Sequence, residues 1–97
     1  MTTKRSNDSE PDINLFGAMI RDFIITHIVG DPSAKLDLNT PLRETGLIDS
    51  LGLLDLLTFI ETTFDLRLPD YFGDTPDCRS VATIACYVHS ETTKHNG

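Results

Sequence analysis

The chain is short of positive charge. It carries 8 Lys and Arg against 15 Asp and Glu in 97 residues, a formal net charge of −7. Neutralising phosphate takes Lys and Arg, so this balance argues against nucleic acid and against anionic membrane surfaces, and for basic protein partners. Between Asp49 and Asp65 there is no Lys or Arg at all, while Asp49, Asp55, Glu61 and Asp65 fall there. Such a run is either a solvated face that serves solubility or a docking face. Long apolar runs are missing too, so no membrane span is expected. Met1 to Glu10 is polar after Met1 and lacks the apolar stretch of a secretory signal. A cytoplasmic protein is expected.

Cysteine is scarce, with Cys78 and Cys86 alone. Nothing suggests secretion, so both are expected as thiols, with Cys86 packed in the last helix. The spacing of Cys78, Cys86, His89 and His95 fits no standard zinc pattern, and no metal is expected. The Gly-x-Ser-x-Gly turn of a serine hydrolase is also missing. Ile48 stands two residues before Ser50, where the first glycine belongs. Calcium loops starting at Asp31 or Asp37 fail as well. Lys35 or Pro41 falls on a ligand position, and Leu36 or Leu42 on the glycine position. No repeat, low-complexity tract or strand alternation is found. A chain of this length holds one domain with one modest core.

What is present is helical periodicity. Leu15, Phe16, Met19, Ile20, Phe23, Ile24 and Ile28 recur at helical spacing. Ser9 can cap this helix, Pro11 and Asp12 suit its first turn, and Gly30 before Asp31-Pro32 marks its end. A long loop, 31–48, follows. Thr40-Pro41 starts one short turn in it, and Leu36, Leu38, Leu42 and Leu47 pin it to the core. Gly46 supplies a special backbone angle or a close approach, or is an ordinary loop glycine.

The second helix is expected from Ser50 to Phe64. Leu53, Leu56, Leu57, Ile60 and Phe64 form its buried stripe, with Phe64 deep in the core. Leu51, Leu54, Asp55, Thr58, Glu61 and Thr62 form another, exposed face. Gly52 is poor helix chemistry, costing roughly 1 kcal/mol against Ala in a helix interior and less in the first turn. The connector 65–78, with Pro69, Gly73 and Pro76, holds one short helix near Asp70-Tyr71-Phe72. Ser80 caps the last helix, whose core face is Val81, Ile84, Ala85 and Val88. The expected organisation is a disordered leader over 1–10, a domain over 11–91 and a flexible tail over 92–97. The fold class is all-α, a small bundle of three main helices plus one short helix, and a monomer is expected.

Read on its own, Ser50 is a serine at a helix start, a place such residues take for capping alone. A helix N-terminus also tolerates an attached phosphodiester, because its free N–H groups and dipole favour negative charge. The motif around it carries more. Asp49-Ser50-Leu51 in register with this helix, followed by Asp55, Glu61, Phe64 and Leu68-Pro69, resembles the acyl carrier protein superfamily from roughly Leu15 to Val88.

The resemblance implies that Ser50 is esterified by 4′-phosphopantetheine drawn from coenzyme A. The thiol of that arm then holds intermediates as thioesters, and the carrier itself catalyses nothing. It implies that Asp49 belongs to the recognition motif and lies near the modifying enzyme's metal site. It implies that Leu51, Leu54, Asp55, Thr58, Glu61 and Thr62 meet partner enzymes. Thr58 and Thr62 stand where fatty-acid carriers often have a larger apolar or an acidic residue, which argues against primary fatty acid synthesis. The run Gly46 to Leu57 is most similar to free-standing carriers that work with adenylating ligases, among them D-alanyl carriers and carriers of polyketide or nonribosomal peptide pathways. The implied partners are a phosphopantetheinyl transferase, an adenylating acyl or aminoacyl ligase, and a ketosynthase, condensation or other acyl-transfer enzyme. The competing reading is an acidic helical protein-interaction module whose serine stays unmodified.

Overall fold

The computed structural model describes residues 9–96, with side chains over 12–93. The expected leader therefore lies mostly outside the described residues. Three long helices make the frame, and the described residues contain no strand. Helix α1 is Ser9–Phe23, α2 is Ser50–Phe64 and α3 is Val81–Asn96. The sequence reading ended α3 near residue 91, but the helix continues to Asn96.

The apolar stripe of α1 does not stop at Phe23. Its backbone widens into a π-helical turn, Ile24–Val29, and Gly30 closes it in the left-handed region at φ 75°, its N–H donating to the Ile25 carbonyl. The stop at Gly30 is where the sequence places it, whereas the π-turn is not visible in side-chain spacing. Widening this turn lets Ile24 and Ile25 both enter the core next to Ile20. Leu15, expected on the buried stripe, is instead exposed.

Helix α2 buries Leu56 and Ile60 completely, while Leu53, Leu57 and Phe64 are only half-buried. Phe64 is therefore not the deep core residue expected. It lies at the edge, where its ring meets Phe16 edge-on at 4.8 Å. The deep aromatic is Phe72, 1 % exposed, set under Tyr87 of α3. Gly52 is also buried. A Cβ there would meet Ile28 Cγ2 at 3.0 Å, so the missing side chain lets the π-turn close on the start of α2.

Loop 31–48 is tied to two helices near its middle. Arg21 Nε donates to the Leu36 carbonyl at 2.7 Å, and the Ala82 N–H donates to the Leu38 carbonyl at 2.9 Å. Leu36, Leu42 and Ile48 enter the core, whereas Leu38 stays 47 % exposed and holds the loop through its carbonyl rather than by a buried side chain. The turn after Pro41 forms as expected, closed by Thr45 and Gly46 N–H groups on the Pro41 and Arg43 carbonyls. Gly46 has φ 81° and open space where a Cβ would sit, so the backbone angle, not a close approach, requires it.

The connector holds two 3-10 turns where one short helix was expected, Phe72–Asp74 and Pro76–Cys78. Ser80 and Thr83 then cap α3 reciprocally: the Thr83 N–H donates to Ser80 Oγ at 3.3 Å, and the Ser80 N–H to Thr83 Oγ1 at 3.0 Å. Cys78 is buried under this corner. Cys86 is exposed on α3, so it does not pack as expected. Among the residues whose side chains are described, no three His, Cys, Asp or Glu groups are arranged to hold a metal ion.

Candidate functional site

Ser50 is the first residue of α2, and the residue before it does the capping. Asp49 has an extended backbone, and its Oδ1 accepts the Gly52 N–H at 2.8 Å. The capping reading of Ser50 is thereby corrected. With Asp49 holding the helix end, Ser50 is exposed, and its hydroxyl has no hydrogen-bond partner among the described residues. Ile48, 2 % exposed, anchors the chain immediately before it in the core. The serine is thus fixed by buried neighbours yet open to solvent.

A shallow cleft of about 230 Å³ lies beside it, lined by Ser50, Leu53, Leu54, Leu57, Asp70, Gly73 and Asp74. Gly73 matters to its shape. A Cβ there would come within 2.7 Å of Leu53 Cδ2, so glycine lets the first 3-10 turn lie against α2 without displacing that side chain. Its lining is three leucines, a glycine and two carboxylates together with the serine.

The face assigned to partners is largely exposed. Leu51 is 75 % exposed and Leu54 61 %, and Asp55, Thr58 and Thr62 face water. Thr58 donates its hydroxyl to the Leu54 carbonyl at 3.0 Å. Glu61 differs from the rest. It is half-buried, and Oε2 accepts the Leu68 N–H at 2.8 Å, which ties the chain after α2 back to the helix.

Sequence spacing missed Phe59. It lies outside the stripe, yet it stacks on Phe23 of α1 with ring centroids 4.2 Å apart. It stands three residues after Leu56, a helical spacing that could have placed it beside the buried stripe. Neither histidine whose side chain is described serves Ser50 as a base: His27 stacks on Phe23 and His89 packs toward Phe16. A hydroxyl with no hydrogen-bonded base among the described residues, on a helix end, is suited to being modified rather than to attacking a substrate.

No family model matches the sequence. Among curated proteins, it is similar to the D-alanyl carrier proteins of Lactococcus lactis subsp. cremoris strains MG1363 and SK11. With each it shares 32% identity over 72 residues, 74% of this chain and 91% of the relative.

Proposed function

The chain belongs to the carrier-protein family that contains the D-alanyl carriers, and from that premise we propose that Ser50 is the attachment point of 4′-phosphopantetheine. The protein is a carrier and not an enzyme. The observation that carries the proposal is Ser50 itself, an exposed hydroxyl at the first residue of α2, inside Asp49-Ser50-Leu51.

The residues around it fit the group. Asp49 occupies its own cap bond, so a phosphodiester on Ser50 does not have to displace a structural hydrogen bond of the serine. The N-terminal end of α2 favours the added negative charge. The leucines of the adjoining cleft, Leu53, Leu54 and Leu57, offer partial shelter from water. When bound, the arm supplies a terminal thiol on which a carboxylic acid is held as an activated thioester. This chain supplies the location, the orientation and the recognition surface. Asp49 is placed to be read by the modifying enzyme, and Leu51, Leu54 and Asp55 to be read by those that follow.

The partners we infer are a phosphopantetheinyl transferase and an adenylating ligase, acting in the cytoplasm, where coenzyme A and ATP are at hand. The D-alanyl relatives favour a small amino acid as cargo over a polyketide or a growing nonribosomal peptide. Thr58 and Thr62 in place of larger apolar or acidic residues fit a carrier outside primary fatty acid synthesis. Ketosynthase or condensation partners have no support beyond the motif.

The test is incubation with coenzyme A, magnesium and a broad-specificity transferase, read by intact and peptide mass. One pantetheine adduct on the Ser50 peptide, absent in Ser50→Ala, is expected. No adduct leaves the unmodified interaction module as the better reading, and an adduct that survives in Ser50→Ala moves the arm to another residue.

A further inference from the structure

Gly52 is the least expected residue of α2. An alanine at that position would favour the helix, yet a Cβ there is crowded from two sides. Ile28 Cγ2 of the π-turn would lie at 3.0 Å, Asp49 Oδ1 at 3.3 Å and Ile48 Cγ2 at 3.4 Å. The first belongs to another element, and the other two to the segment that leads into Ser50. Gly52 is also the donor of the cap bond, its N–H reaching Asp49 Oδ1 at 2.8 Å. One residue therefore meets the π-turn with its missing side chain and the motif carboxylate with its backbone.

The three neighbours are not equally free to yield. Side chains in a close-packed interior move only at a cost. Ile48 is 2 % exposed, and Ile28 packs against the core from the π-turn. Asp49 is exposed, and its cap bond is what holds its carboxylate. A methyl at position 52 is therefore relieved mainly at Asp49, whose carboxylate swings off the helix end and weakens the cap. Ser50 lies between the two residues of that bond. The glycine thus gives up helix propensity for the geometry of Asp49 and Ser50.

We propose that Gly52 is a positioning residue for modification at Ser50. It holds the Asp49 carboxylate across the first turn of α2, while the π-turn, closed against it, keeps that end of the helix from shifting. The role in modification rests on the carrier reading; the hold on Asp49 does not. Helix α1 then contributes to the site through Ile28 without touching the serine.

The experiment uses the full chain and measures loading from coenzyme A by a broad-specificity transferase, beside amide hydrogen exchange by NMR. Gly52→Ala should stay folded by circular dichroism and lower kcat/KM for loading about fivefold or more. Gly17→Ala adds the same methyl to α1 at ordinary contact distances of 3.8 Å and should load like the wild type. Ile28→Leu removes the nearest Cγ2 while conserving volume. Combined with Gly52→Ala, it should recover most of the lost rate. In an Asp49→Ala background, Gly52→Ala should cost less than about twofold, because its effect passes through that carboxylate. Wild-type loading by Gly52→Ala, a loss that Ile28→Leu does not relieve, or a loss that simply adds to that of Asp49→Ala would each overturn the proposal. The exchange arm needs no variant at position 52. The Gly52 amide should exchange about fivefold or more faster in Asp49→Ala than in the wild type, beyond any change in the next turn. Equal rates would overturn the hold on Asp49 itself. If the wild type takes no arm, the carrier reading fails, and the exchange result still decides whether Gly52 holds Asp49.

Discussion

Glu61 reaches seven residues along the chain to hold Leu68: its Oε2 accepts the Leu68 N–H at 2.8 Å, and Leu68 is 6 % exposed. A residue on the exposed acidic face of α2 thus has structural work. The bond fixes the turn that leaves the helix, where Asp65 already sits at φ 53° and Leu66 bonds back to the Glu61 carbonyl. Glu61→Ala strands a buried N–H and should cost about 1–3 kcal/mol in urea unfolding. Glu61→Gln keeps an acceptor oxygen without the charge and should cost less than half as much. A loss below about 0.5 kcal/mol in the alanine variant, the range of ordinary surface changes, would return Glu61 to a purely external role.

Most of the frame was legible from periodicity because three helices each have one clear apolar side. Gly30 and Ser80 announced helix boundaries through chemistry that only those residue types perform there. The misreadings share a cause. Spacing says which residues share a face, not how far that face reaches into the core, so it sets Phe64 too deep and gives no signal for Phe72. The π-turn escaped for a related reason: a backbone that widens locally keeps the same side chains in the same order. Asp49 and Ser50 exchanged roles because both are good caps, and adjacent candidates cannot be separated without φ and ψ. Leu51 and Leu54 were read correctly as exposed, since their neighbours at Leu53 and Leu56 already filled the buried side.

The two thiols should differ sharply. Burial pushes the Cys78 thiol up to about 11 from its ordinary 9.0; nearby Arg43 lowers it and Asp74 raises it. Since the thiolate is the nucleophile, iodoacetamide at pH 8 should label exposed Cys86 and spare Cys78 until the chain unfolds. The sign for stability follows. At a pH below 9.0 both folded and unfolded Cys78 are protonated, and its contribution is intact. As pH rises from 9.0 to about 11, the unfolded thiol ionises first and draws the equilibrium toward unfolding. Cys78→Ala should flatten that part of the stability profile at some cost in packing. Equal labelling of both cysteines in the folded chain would show that the corner beneath α3 opens freely.

The final prediction separates steering from holding on the face of α2. Asp55 is exposed with no ion-pair partner among the described residues, and Leu54, 61 % exposed, belongs to the cleft beside Ser50. An enzyme that reaches Ser50 has to cover both. A surface carboxylate attracts basic groups over about a Debye length, ~10 Å at 0.1 M salt, and so acts on approach. A leucine has no reach until contact, where its burial slows departure. Asp55→Lys should therefore lower the association rate of the transferase several-fold at low salt and flatten its salt dependence. Leu54→Ala should leave association nearly unchanged and speed dissociation, weakening binding by roughly 1–2 kcal/mol if it is a central anchor. Neither should unfold the domain, because neither side chain contributes to the core. Stopped-flow binding at three or four salt concentrations, with circular dichroism as the fold control, measures both rates. If Leu54→Ala slowed association while Asp55→Lys changed only dissociation, the two roles would be reversed. Wild-type rates in both variants would leave this face to solubility alone.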